Sequence, residues 1–213
     1  MKHILYSQIF IIAFLFTQIL NATMIPSDTI SFKNKIIPEE ILEEARTALS
    51  HYPELKEVSI EFKFKSSLSK SFMKAQPKIP TLFASKSKRG YVILMSRVFK
   101  VENIQLHIKD IPKEVLIGWL GHELGHIMDY QNRSSANLVL FGIKYFFSQG
   151  YIRKAERIAD TYAVTHNMKD YILATKEFIL SKGDLPEIYK SRIRRLYLSP
   201  DEILMLVKEQ EGN

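Results

Sequence analysis

From Pro112 to Gln131 the chain sets chemically active side chains into a helix that is otherwise apolar, and few folds can accommodate that. Val115-Leu116-Ile117-Gly118-Trp119-Leu120 leads directly into His122-Glu123-Leu124-Gly125-His126. Pro112 suits a helix start, where a missing N–H leaves no intrahelical bond unmade. A helix this apolar belongs in a core, and a His or Glu buried with it is costly unless it finds a partner. His122 and His126 are one turn apart, project from one face, and can converge on a single zinc ion. Glu123 sits about 100° further round, displaced from the pair but within reach of a water on that metal. This is the position of a general base.

Gly118, Gly121 and Gly125 lie on one side of the same helix, next to the histidine face. Each glycine costs about 1 kcal/mol relative to Ala in a helix interior, so another element must approach closely there. Close helix packing explains this, and so does a packed helix that carries the rest of the site.

Two histidines leave zinc incomplete, because catalytic sites commonly use three protein ligands and a water. Glu156 and Asp160 occur about 30 residues later, among the small residues Ala155, Ala159 and Ala163. They too are one turn apart, so one carboxylate can bind metal while the other accepts the remaining N–H of a liganding histidine. Glu156 is the leading third ligand and His166 its competitor.

The chain contains no cysteine. That excludes disulfide frameworks, thiolate zinc fingers, Cys-nucleophile enzymes and iron–sulfur proteins. Any metal must be held by nitrogen and oxygen ligands. Residues 1–22, with Lys2, an apolar run from Ile4 to Leu20 and then Asn21-Ala22, have the shape of a secretory signal peptide or a retained N-terminal anchor. Either places the remainder in a periplasmic or extracellular setting. Residues 23–213 then read as a single domain that must be stable without disulfides, and so must bury a substantial core.

Along that domain, Pro38–Tyr52 reads as a helix with Glu39 and Glu40 in its first turn. Val58–Phe64 alternates as a half-buried strand, and Tyr91–Ser96 is a continuous apolar strand. Ser66–Arg89, rich in Ser and Lys with Pro77 and Pro80, reads as a long or mobile loop. Helices are expected over Arg153–Asn167, Pro186–Leu198 and Pro200–Glu211, the last capped by Ser199. Asn137–Phe147 is apolar but too short to span a bilayer; it is expected to be a buried core helix, with a membrane-facing or substrate-facing flap as the alternative. Trp119 is expected in the core. The fold class is α+β, with a small mixed or antiparallel sheet packed on the active-site helix and a mostly helical C-terminal half.

The net charge of +7 is spread among interleaved acids with no recognition module. It is read as a solvated basic surface, with no nucleic-acid partner expected.

His122-Glu-Leu-Gly-His126 followed by Glu156-x-x-Ala-Asp160 resembles the gluzincin metallopeptidases. Within them it is similar to the family of the CaaX prenyl proteases, the heat-shock membrane proteases and their small soluble relatives. The similarity covers roughly residues 90–196. It implies a zincin-like metallopeptidase domain over 23–213, with Zn2+ held by His122, His126 and Glu156, Glu123 as catalytic base and acid, and Asp160 supporting His122. It also implies that Tyr91–Ser96 offers its edge to a peptide or protein substrate bound as an extended strand. The family's His-Pro pair is absent; Leu185-Pro186 stands in its place, followed by Arg192-Ile193. The oxyanion-stabilising or substrate-contacting group is therefore left among Arg192, His166 and Tyr162. Contact with a membrane surface is a further expected partnership. The rival readings are a non-catalytic binding or chaperone-like envelope protein with a structural zinc closed by His166, and a basic surface-binding module.

Overall fold

A computed structural model describes residues 32–212 of the chain apart from 67, 69–70, 102–103 and 184. The expected signal or anchor at 1–22 lies outside the described residues. From Asn34 onward the chain forms one compact α+β unit.

Strand β1 (Lys35–Ile36) is followed by a 3-10 turn at Glu39–Ile41 and helix α1 (Leu42–Ser50), which buries Ala45, Ala48 and Leu49. The chain returns in β2 (Ile60–Lys65), parallel to β1. Parallel pairing needs a crossover connection, supplied here by the helix. After β3 (Met73–Pro77), strand β4 (Tyr91–Ser96) inserts parallel to β2 and antiparallel to β3, giving the order β1-β2-β4-β3. β4 is buried along almost its whole length. That explains its unbroken apolar run, since a central strand is covered on both faces. A separate antiparallel hairpin joins β5 (Val98–Val101) and β6 (Ile104–His107).

Two expectations for this region are corrected. Ser66–Arg89 is not one long loop: it contains β3 and 3-10 turns at Ile79–Thr81 and Lys86–Lys88. Its end is anchored by Arg89, 2% exposed, which donates to the carbonyls of Tyr130 and Arg133 and to Ser135 Oγ. A cation there suits the C-terminal end of a helix. Tyr91–Ser96 has no free edge, because β2 and β3 occupy both sides of β4; among the described residues the edge strands are β1 and β3, and β3 is the one beside β4.

The C-terminal half is helical: α2 (Lys113–Gln131), α3 (Ser135–Phe147), α4 (Gln149–Thr165), α5 (Lys169–Ser181), α6 (Glu187–Leu196) and α7 (Pro200–Glu211). α2 is buried on nearly all sides, packed between the sheet and helices α1, α4 and α5. Its glycines make this possible. A Cβ at Gly118 would lie 2.3 Å from the Tyr171 carbonyl oxygen on α5, and one at Gly125 would lie 2.4 Å from the Ala159 carbonyl oxygen on α4. α7 begins with a capping box between Ser199 and Glu202. α5 was not foreseen from the sequence: two of its core-facing positions, Thr175 and Lys176, are polar, which obscures the apolar period. Trp119 packs against Phe72 and Phe178 beside a satellite cluster of Ile179, Leu185 and Ile193.

Asn137–Phe147 is not a buried core helix. Within α3 only Leu138 and Phe141 are buried, with Phe141 edge-on to Tyr130 and Tyr151. One face packs and the other does not. Among the described residues no helix is long and apolar enough to cross a membrane.

Candidate metal centre

His122 and His126 project from the middle of α2, and Glu156 faces them from the second turn of α4, where the close approach at Gly125 brings the two helices together. All three are buried, and one ligand atom from each lies within 4.8 Å of the others. Glu156 Oε2 is 3.1 Å from His122 Nε2 and 3.5 Å from His126 Nε2. Ligands about 2.1 Å from a tetrahedral ion stand about 3.4 Å apart, so these separations suit a zinc-sized cation. The donor set, two imidazoles and a carboxylate, suits zinc chemically. Among the described residues this buried cluster can therefore hold a metal ion.

Surrounding groups orient the donors. Asp160, 1% exposed, accepts from His122 Nδ1 at 2.8 Å through Oδ1. Its Oδ2 accepts from the Lys176 ammonium at 2.8 Å and from the Leu198 N–H at 3.0 Å. The Tyr145 hydroxyl donates to Glu156 Oε1 at 2.5 Å, leaving Oε2 to face both histidines. The Lys176 ammonium also lies 4.3 Å from the Tyr197 ring centroid, and that ring packs against His122. Carboxylate–histidine pairs of this kind fix the tautomer and aim the other ring nitrogen.

Protonation follows these contacts. Burial opposes charge on His122, yet its bonds to Asp160 and Glu156 outweigh it and carry its pKa up to about 10 in the metal-free site. Burial likewise works against the Asp160 carboxylate, but Lys176 and His122 bring its pKa down to about 2. Glu156 is held well below the usual carboxylate range, because His126 and His122 overcome its burial. Glu123 behaves differently. Burial pushes its pKa up, only partly opposed by the histidines and by the Ala75 N–H, which donates to Oε2 at 2.5 Å. Burial and the neighbouring Glu156 raise the Tyr145 phenol.

A narrow cleft opens at this centre between β3 and α6, lined by Phe72, Met73, His122, Glu123, Tyr189 and Arg192. Of the three groups left open for oxyanion or substrate contact, the structure brings Arg192 to the cleft. His166 lies elsewhere: it stacks on Tyr52, and its ring nitrogens face the Tyr162 carbonyl and Glu54. It joins neither the metal cluster nor the cleft, so the closed four-ligand set needed for a structural zinc is not assembled through His166. Tyr162 accepts from Asn132 Nδ2 through its hydroxyl and is likewise outside the cleft lining. Sequence reasoning passed over Lys176, Tyr145 and Ala75. The signal for Lys176 was a short polar break, Thr175-Lys176-Glu177, between two apolar runs; Tyr145 and Ala75 carried none.

No protein-family model, curated protein or solved structure matches the chain.

Proposed function

We propose that this chain is a zinc-dependent peptidase of zincin-like fold, hydrolysing peptide bonds in an exported setting. The observation that carries the reading is the three-donor cluster His122, His126 and Glu156 with the buried carboxylate of Glu123 beside it. Three protein donors leave a coordination position for water, as catalytic sites do and closed structural sites do not. A zinc ion held there would acidify a bound water and polarise the scissile carbonyl.

The remaining work falls to the chain. Glu123, with its pKa raised by burial, takes a proton from the attacking water and returns it to the leaving amine. Asp160 keeps His122 Nε2 aimed at the metal position by accepting its other N–H. Arg192, at the cleft, supplies positive charge for the oxyanion or a substrate carbonyl. An extended peptide adds to β3 rather than β4, because β3 is the edge strand beside Glu123. Its backbone would exchange the Ala75 N–H away from the Glu123 carboxylate.

The test is cleavage of an unbiased peptide library by the wild type and by Glu123→Gln, with zinc content measured in both. The expected result is about one zinc per chain in each and cleavage by the wild type alone. Turnover by Glu123→Gln would overturn the assignment of the base, and a zinc-loaded wild type that cuts nothing would favour a binding role.

A further inference from the structure

Helix α3 is apolar on both sides, and among the described residues only one side is covered. Leu138 and Phe141 are buried and Tyr145 is half-buried on the inner side. At about 100° per residue, Val139, Leu140, Ile143, Phe146 and Phe147 all fall within about 120° on the outer side. They are 42%, 47%, 53%, 80% and 80% exposed. A contiguous uncovered face of this kind marks a contact surface, whereas scattered exposed residues do not.

Charge and length indicate what covers it. Between Asp129 and Glu156 the sequence has Arg133, Lys144, Arg153 and Lys154 and no acid. Lys144, Arg153 and Lys154 are exposed. The neighbouring turn, tied to the start of α3 where Ser135 Oγ donates to the Leu82 carbonyl, adds exposed Phe83, Lys86 and Lys88, again without an acid. A second copy of the chain would bring this positive charge against itself. At 13 residues the helix is about 20 Å long, too short to cross a hydrocarbon core of about 30 Å. Phenylalanines on one face with lysines beside them suit a helix lying in the plane of a lipid surface.

We propose that α3 seats its outer face in the surface of an anionic lipid bilayer, with Lys144, Arg153 and Lys154 toward the headgroup phosphates. The inference rests on the uncovered face and its charge, and is independent of the metal centre.

Because the chain has no cysteine, a single thiol can be labelled uniquely. Phe147→Cys in the full chain is labelled with a polarity-sensitive fluorophore, and Ser191→Cys on α6 serves as the comparison. Vesicles of equal parts phosphatidylcholine and phosphatidylglycerol should shift the Phe147→Cys label to the blue and shield it from aqueous iodide by severalfold. The Ser191→Cys label should stay quenchable, and phosphatidylcholine alone should protect the Phe147→Cys label far less. Lys144→Glu with Arg153→Glu should remove the preference for anionic vesicles. The proposal is overturned if the Phe147→Cys label stays fully quenchable on anionic vesicles, if phosphatidylcholine protects it equally, or if protection appears without lipid as protein concentration rises.

Discussion

The ammonium of Lys176 lies 2.8 Å from Asp160 Oδ2, and both side chains are almost wholly buried, at 7% and 1% exposure. Asp160 is thereby a bridge: its other oxygen orients His122, so a lysine on α5 is coupled to one of the three donors of the candidate metal centre on α2.

Removing the cation should expose that coupling. Lys176→Met keeps the apolar stem but leaves Asp160 with a buried charge and only His122 and the Leu198 N–H to meet it. Breaking a buried pair from one side costs about 3 kcal/mol. Urea denaturation of the metal-free protein should show a loss of that order, and an unchanged midpoint would mean that the pair contributes little.

The same carboxylate sets an acid limit. Its pKa is depressed from 3.8 to about 2 in the folded chain. A depressed pKa contributes stability above the unfolded value, lost as pH falls from about 4 through about 2. The contribution is about 2 kcal/mol by linkage. His122 has the opposite sign: raised from 6.5 to about 10, it stabilises the metal-free fold below the unfolded value, and this is lost as pH rises through about 10. By these two groups alone, stability of the metal-free protein should be greatest between about pH 4 and 6.5, and the raised Glu123 carboxyl should tilt that plateau toward its acid side. Denaturation midpoints across pH check this, and Asp160→Asn should flatten the acid limb.

Tyr145 donates to Oε1 of Glu156, the oxygen other than the one that faces both histidines. Groups in this position commonly change metal affinity by about tenfold or more. Competition titration with a chromophoric chelator should show Tyr145→Phe binding zinc about tenfold more weakly, with the helical circular-dichroism signal unchanged. An equal affinity would reduce Tyr145 to a packing residue.

Four glycine-to-alanine substitutions should rank by what a new methyl meets. At Gly118 and Gly125 it meets backbone carbonyls, which cannot yield, so each should destabilise by about 2 kcal/mol or more. At Gly121 it meets the flexible end of Met168, and the loss should be smaller. Gly142 has open space in the interior of α3, so Ala should stabilise by about 1 kcal/mol. Thermal denaturation of the four variants gives the order; Gly125→Ala proving neutral would contradict the tight α2–α4 contact.

The apolar surroundings of His122, the three glycines and the two carboxylates were all readable because their meaning is local. Helical spacing alone decides which side chains share a face, and a helix side lined with glycine must meet another element. The cap at Ser199 was readable for the same reason, and the structure adds the reciprocal bond to Glu202. Tyr91–Ser96 was recognisable as a strand, but its central place was not, because strand order depends on segments far apart in sequence.

The sequence by itself determined that His122 and His126 share a helix face, that Glu123 stands beside them, and that the apolar stretch at 137–147 is too short to span a bilayer. Only the tertiary structure decided the rest. Packing α2 against α4 selected Glu156 over His166 as the third donor group facing the two histidines. The lysine beneath Asp160 came from a helix whose period it disguises, and β3 became the edge strand next to Glu123. Among the described residues, α3 was left with one apolar face packed and the other uncovered. Periodicity states which residues can be buried; the space between packed elements decides which of them are.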